Sequence, residues 1–185
     1  MTTEAIVERR PSPERLVYLG VALLLGVSLG ITPALEREAA AAMVSQVVLA
    51  VMLLLSWLDL TTLRVPNAIV YPALAFALAG TALVDVSLLD EAAMGAGANL
   101  GIMFLVALFG RGSMGMGDVK FAALAGSILG WKGGIGALLL GFSSGAALAL
   151  VLLVLRVRSL KDSLPLTPFL AGGSIASSFL FGFVL

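Results

Sequence analysis

From Arg15 to the carboxyl terminus the chain is one apolar run after another, broken only by short polar punctuation. A helix needs about 20 mostly apolar residues to cross a bilayer. Runs of that kind cover about 16–35, 42–59, 68–86, 92–110, 118–131, 134–155 and 166–185. They are long and continuous, whereas membrane barrel strands are short and alternate apolar with polar residues. With 60% hydrophobic and 12% charged residues among 185, against about 25% charged in soluble domains, no room is left for a soluble domain. The pattern predicts an all-α, polytopic transmembrane helical bundle of about seven spans. Residues 1–15 are a short amino-terminal tail and 16–185 a single membrane domain. The tail, MTTEAIVERRPSPER, carries both signs of charge and leads into a run too long for a signal-peptide core. That run is expected to be a retained helix.

Basic residues set the orientation, since short cytoplasmic loops are enriched in Lys and Arg. With a cytoplasmic amino terminus, Arg9, Arg10, Arg15, Arg64, Arg111, Lys120, Arg156, Arg158 and Lys161 fall inside, and only Arg37 and Lys132 outside. The outer loops then hold Glu36, Glu38, Asp85, Asp90 and Glu91, and the carboxyl terminus ends outside. Asp59 and Asp118 share the cytoplasmic edge of the cytoplasmic (inner) membrane.

Other residues have structural readings. Pro33, Pro66 and Pro165 fall at span edges, where the residue before a proline leaves the helical region. Asn67 is suited to cap the third span. Gly26/Gly30, Gly97/Gly101, Gly126/Gly130 and Gly141/Gly145 recur at four-residue spacing. Such pairs let membrane helices approach closely, inside the bundle or between two copies of the chain as a homo-oligomer. Asn99, in mid-span without a nearby charge, is expected to hydrogen-bond between helices. Lys120 is two positions from Asp118, so on a helix it does not face it and is expected to snorkel.

The net charge is zero and the chain has neither cysteine nor histidine. Nucleic-acid binding therefore lacks its electrostatic footprint, and thiol or imidazole catalysis and metal sites are excluded. What remains is carboxylate chemistry. Charge near hydrocarbon is costly and marks functional-site candidates. Asp118 closes Gly115-Met116-Gly117-Asp118, and Asp59 ends the run Met43–Leu58. Two carboxylates brought together share a proton. One can then take a proton from water while the other donates to a substrate carbonyl, with no cofactor or metal. Taken singly, each has another explanation: the glycines as a loop with Asp118 as N-cap, Asp59 as an interfacial carboxylate.

Asp59-Leu-Thr-Thr-Leu-Arg64-Val-Pro66-Asn67, followed by Gly115-Met-Gly117-Asp118-Val-Lys120, resembles the type IV prepilin peptidase family. Its pattern is an aspartate shortly before Arg-x-(Ile/Val)-Pro-Asn, then Gly-x-Gly-Asp. The resemblance covers roughly residues 43–185 and implies catalytic roles for Asp59 and Asp118. Gly115 and Gly117 are expected to shape the backbone beside the scissile strand. Leu164-Pro165-Leu166-Thr167-Pro168 is similar to the family's Pro-Phe-Gly-Pro segment, but Leu166 and Thr167 stand where Phe and Gly are expected, and no role is carried over. Longer members have a cysteine-rich cytoplasmic segment after the first span, associated with methylation of the product. Here Thr32–Ala41 is short and free of cysteine, as in a compact, peptidase-only form.

The implied activity is that of a membrane aspartic endopeptidase acting on single-span prepilin, pseudopilin or preflagellin-like substrates at the cytoplasmic edge of the bilayer. Two other classes stay open. Presenilin or signal-peptide-peptidase-like proteases share Gly-x-Gly-Asp, but their partner aspartate usually follows a tyrosine, and Asp59 follows Trp57-Leu58. A proton-coupled transporter would place its acids near the bilayer midplane.

Overall fold

A computed structural model describes residues 13–110, 114–156 and 165–185. Every regular element in them is helical: α1 (Pro13–Ile31), α2 (Arg37–Thr62), α3 (Asn67–Val84), α4 (Leu89–Phe109), α5 (Met116–Val154) and α6 (Thr167–Phe181). Short 3-10 turns at Thr32–Ala34 and Val86–Leu88 join α1 to α2 and α3 to α4. Five of the helices are long and apolar enough to cross a membrane, and α6 is a shorter apolar helix. This is a multi-pass membrane bundle. Of the basic residues that set the predicted orientation, Arg9, Arg10, Arg111, Arg158 and Lys161 lie outside the described residues.

α5 is two helical limbs. At 1.5 Å per residue, 39 straight residues would run about 58 Å, nearly twice a hydrocarbon core. The backbone breaks at Gly130, with φ 67° and ψ −175°, a conformation that suits glycine. Before the break, Ala122 and Gly126 lie against Asn99 and Gly95 of α4. After it, Gly134 lies against Asn99 again, so the chain has turned back. The limbs 116–129 and 131–154 match the predicted fifth and sixth spans, giving seven helical segments.

Boundaries differ from the hydropathy reading where charge misleads it. Arg37 and Glu38, expected in a loop, are the first residues of α2. At the far end the last helix stops at Phe181, not 185. Gly182 turns at φ 78°, and the Val184 N–H donates to Ile128 O at 2.9 Å.

The first limb of α5 is the centre of the bundle, with all ten residues from Phe121 to Gly130 buried. Small residues make this fit. A Cβ on Gly95 would collide with the Gly126 carbonyl, and one on Gly173 of α6 with the Ala137 carbonyl in the second limb. The paired glycines divide accordingly. Gly126/Gly130 and Gly141 have close backbone or side-chain neighbours. Gly26/Gly30 and Gly97/Gly101 have nothing within 4 Å and point out of the bundle. Internal packing explains only the former, because a four-residue spacing fixes a shared face but not its direction.

The helix ends sort into two groups. Arg37 pairs with Asp85, joining the α1–α2 and α3–α4 connections. Lys120 bonds Asn67, and Thr167 bonds Asp118, joining the starts of α3, α5 and α6 at the opposite end. Trp57 and Trp131, near opposite ends and 65% and 42% exposed, stand where aromatic belts form at membrane interfaces.

Candidate active site

Asp59 is placed by the packing stripe of α2. Val44, Val48, Val51, Met52, Leu55 and Ser56 are buried at helical spacing, and Asp59 is the next step of the same stripe, only 6% exposed. Leu53, Trp57 and Leu60 take the outward face. One turn later the helix ends at Leu63, which adopts φ 52°, ψ 34° and donates its N–H to Asp59 O at 2.8 Å. This left-handed C-cap is normally a glycine position. It turns the chain sharply into Arg64-Val65-Pro66, and Pro66 starts α3.

Asp118 stands in the first turn of α5. The N-cap is Gly115, and the Asp118 main-chain N–H donates to Gly115 O at 3.1 Å. The Asp118 side chain is therefore free of capping duty, and its Oδ1 accepts from Thr167 Oγ1 at 2.8 Å. A cavity of about 820 Å³ lies between these elements, lined by both aspartates, Gly115, Gly117, the turn 62–66, and Val17 and Tyr18 of α1. That volume falls within the range of ligand-binding pockets. Asp59 Oδ2 is buried and has no hydrogen-bond partner among the described residues. Buried polar atoms are nearly always paired; Asn99 Oδ1 is likewise unpartnered among the described residues, but of the two residues only Asp59 lines the cavity. No group of three or more His, Cys, Asp or Glu side chains suited to a metal occurs among the described residues.

The two glycines do different things. Gly115 has an ordinary extended backbone, φ −75° and ψ 141°, and a Cβ there would meet only Asp118 Oδ2 at 3.6 Å and Gly117 N at 3.9 Å. At Gly117 a Cβ would sit 2.7 Å from Val65 Cβ. Gly117 thus seats the start of α5 against the turn that follows Asp59.

Two residues depart from their expected roles, and a third had been given none. Asn67 does not cap α3, since Pro66 is the N-cap and no side chain caps it; Asn67 Oδ1 instead accepts from Lys120 Nζ at 2.8 Å. Lys120 therefore does not merely snorkel. It also lies 5.0 Å from the Tyr71 ring, within cation–π range. Thr167, to which the sequence assigned nothing, touches Asp118. Its only sequence signal was its place in a proline-bracketed segment entering a helix. Asn99 behaves as expected, donating to Ala122 O at 3.1 Å between α4 and α5.

A model of the type IV leader peptidase family matches residues 46–150, more than half of the chain, including both aspartates and both glycines. Comparison with curated proteins and with solved structures found no match.

Proposed function

The chain belongs to the type IV leader peptidase family, and from that premise we propose that it is a membrane aspartic endopeptidase with Asp59 and Asp118 as its catalytic pair. The observation that carries this reading is that two aspartates from different helices, one with a buried oxygen unpartnered among the described residues, line a single cavity. In the proposed reaction the pair shares one proton. The ionised member takes a proton from water, and the hydroxide equivalent attacks the scissile carbonyl carbon. The other member gives its proton to the carbonyl oxygen. As the tetrahedral intermediate collapses, the C–N bond breaks, the amine leaves with the proton that came from water, and a hydroxyl of the intermediate returns its proton to the other aspartate, so that the pair again shares one. The turn 62–66 and the backbone of Gly115 and Gly117 form the wall along which an extended substrate segment would lie.

The substrate we propose is a prepilin-like protein, in which a basic leader meets one hydrophobic helix. Both aspartates stand near helix ends, the last turn of α2 and the first of α5. A junction of leader and membrane helix lies at that depth, and a midplane transporter site does not. The basic residues Arg15, Arg64, Lys120 and Arg156 belong to this same end, which favours the cytoplasmic side.

The test is to incubate the purified protein with a membrane-inserted prepilin and determine the product's new amino terminus by sequencing and mass spectrometry. Cleavage at the leader junction is expected, with a free amine even when S-adenosylmethionine is present. Asp59→Asn and Asp118→Asn should each abolish cleavage while the protein still accumulates in the membrane. Because members of a catalytic unit are non-additive, the double variant should be scarcely worse than either single one. Near-normal cleavage by either single variant would sink the aspartic assignment.

A further inference from the structure

Thr167 is the first residue of α6, fully buried, and its hydroxyl makes no cap for its own helix. The hydroxyl proton goes instead to Asp118 Oδ1 at 2.8 Å. The carbonyl of the same residue lies 3.5 Å from Ser56 Oγ. Ser56 is one turn before Asp59 on the same buried stripe, and its own proton is better placed on Met52 O at 2.9 Å. One residue of α6 therefore touches both aspartate-bearing helices, directly at Asp118 and through packing at Ser56.

The consequence for Asp118 is geometric. The terminal torsion of an aspartate is broad and would otherwise let the carboxylate rotate. With Oδ1 held by Thr167, Oδ2 is on the Gly115 side, where a Gly115 Cβ would be 3.6 Å away, and Gly115 lines the cavity. Proton transfer depends on such orientation, and small displacements carry large rate penalties. We propose that Thr167 is a positioning residue for the peptidase reaction, holding the Asp118 carboxylate so that one oxygen faces the cavity. This rests on the aspartic reading above.

α6 itself does not depend on this bond. It is seated against the second limb of α5 where Gly173 meets Ala137 and Gly141, and where Ser177 Oγ donates to Gly133 O at 2.6 Å. Removing the hydroxyl should therefore leave the helix in place and disturb only the carboxylate.

The experiment measures kcat and KM for prepilin cleavage by wild type, Thr167→Val and Thr167→Ser, with Asp118→Asn assayed alongside. Thr167→Val keeps shape and removes the donor. It should lower kcat by about 10- to 100-fold, the scale of one hydrogen bond to a charged group, with KM within about twofold. Thr167→Ser should restore kcat to within about threefold of wild type. Thr167→Ala serves the same purpose if Thr167→Val fails to accumulate. An unchanged kcat, a loss carried mainly by KM, or no rescue by serine would overturn the proposal while inactive Asp118→Asn left the dyad standing. An active Asp118→Asn would overturn both.

Discussion

At the end of the bundle formed by the α1–α2 and α3–α4 connections, Arg37 pairs with Asp85, and Asp85 also accepts from the Ser87 hydroxyl and N–H at 2.6 and 2.9 Å. These groups are at the surface and satisfy one another. At the opposite end Asp59 is buried with one oxygen unpartnered among the described residues, Asp118 is tied to another helix, and both border a cavity. The two ends use the same residue type under opposite conditions. An aspartate at the surface whose oxygens are taken up by Ser87, two residues on, and by Arg37 holds two connections together. A buried one that borders a cavity, as Asp59 does, has its chemistry available to something else.

The sharpest way to break this contrast is through the glycines at the cavity. Gly117→Ala forces a Cβ to within 2.7 Å of Val65 Cβ, so either the turn after α2 or the start of α5 must move. Leader cleavage is expected to fall about 100-fold, as for a misplacement near 1 Å. Gly115→Ala meets nothing closer than 3.6 Å and should stay within about threefold of wild type. Parallel kinetics on the two variants check this, and equal losses would mean that the Gly117–Val65 contact is not what matters. Lys120→Met comes next. It removes the bond to Asn67 and the contact with Tyr71, costing about 1 kcal/mol, a few degrees in thermal midpoint. A thermal scan in detergent reads that shift, with cleavage reduced only severalfold.

The smallest effects belong to the other end. Hydrogen bonds from the Ser87 hydroxyl and N–H, aided by Arg37, hold the Asp85 carboxyl below its ordinary value of 3.8. A depressed carboxylate contributes stability that is complete above the unfolded value and is lost as pH falls through the folded one. Asp85→Asn should therefore lower the thermal midpoint slightly at pH 6, and the difference from wild type should vanish once pH drops well below 3.8. Cleavage should not change. Loss of activity in Asp85→Asn would erase the contrast between the ends.

Most of the architecture was legible because spans need only length and apolarity. Even the reversal inside α5 could be seen as two runs, with Lys132-Gly133 between them. The convergence of Asp59 and Asp118 on one cavity was likewise accessible, from two motifs and the parity of the spans between them. Side-chain partnerships across helices were not. Lys120 and Asn67, or Thr167 and Asp118, are 53 and 49 residues apart, and no local periodicity links them. The glycine pairs show the same limit: the sequence sets which residues share a helix face, and only tertiary packing decides whether that face looks inward. Helix ends failed for a simpler reason. Arg37 and Glu38 are helical because a charged first turn suits a helix that emerges from hydrocarbon, which hydropathy scores as loop.

The ten buried residues from Phe121 to Gly130 are apolar almost throughout, yet hydropathy is not what keeps them at the centre. Lipid tails are as apolar as leucine, so a bilayer gives no preference for hiding such a segment among other helices. Fit does. Ala122 and Gly126 are small enough for α4 to approach closely at Asn99 and Gly95, and Ala123, Ala125 and Ser127 are small as well. Added volume is therefore costly on this limb, whereas outward positions of α1 such as Leu19, Leu23 and Val27 have room for it. Alanine to leucine at Ala122, which hydropathy scores as no damage, should destabilise the bundle, whereas Val27→Leu should not. Asp118 stands just ahead of this closely packed stretch, on the same limb.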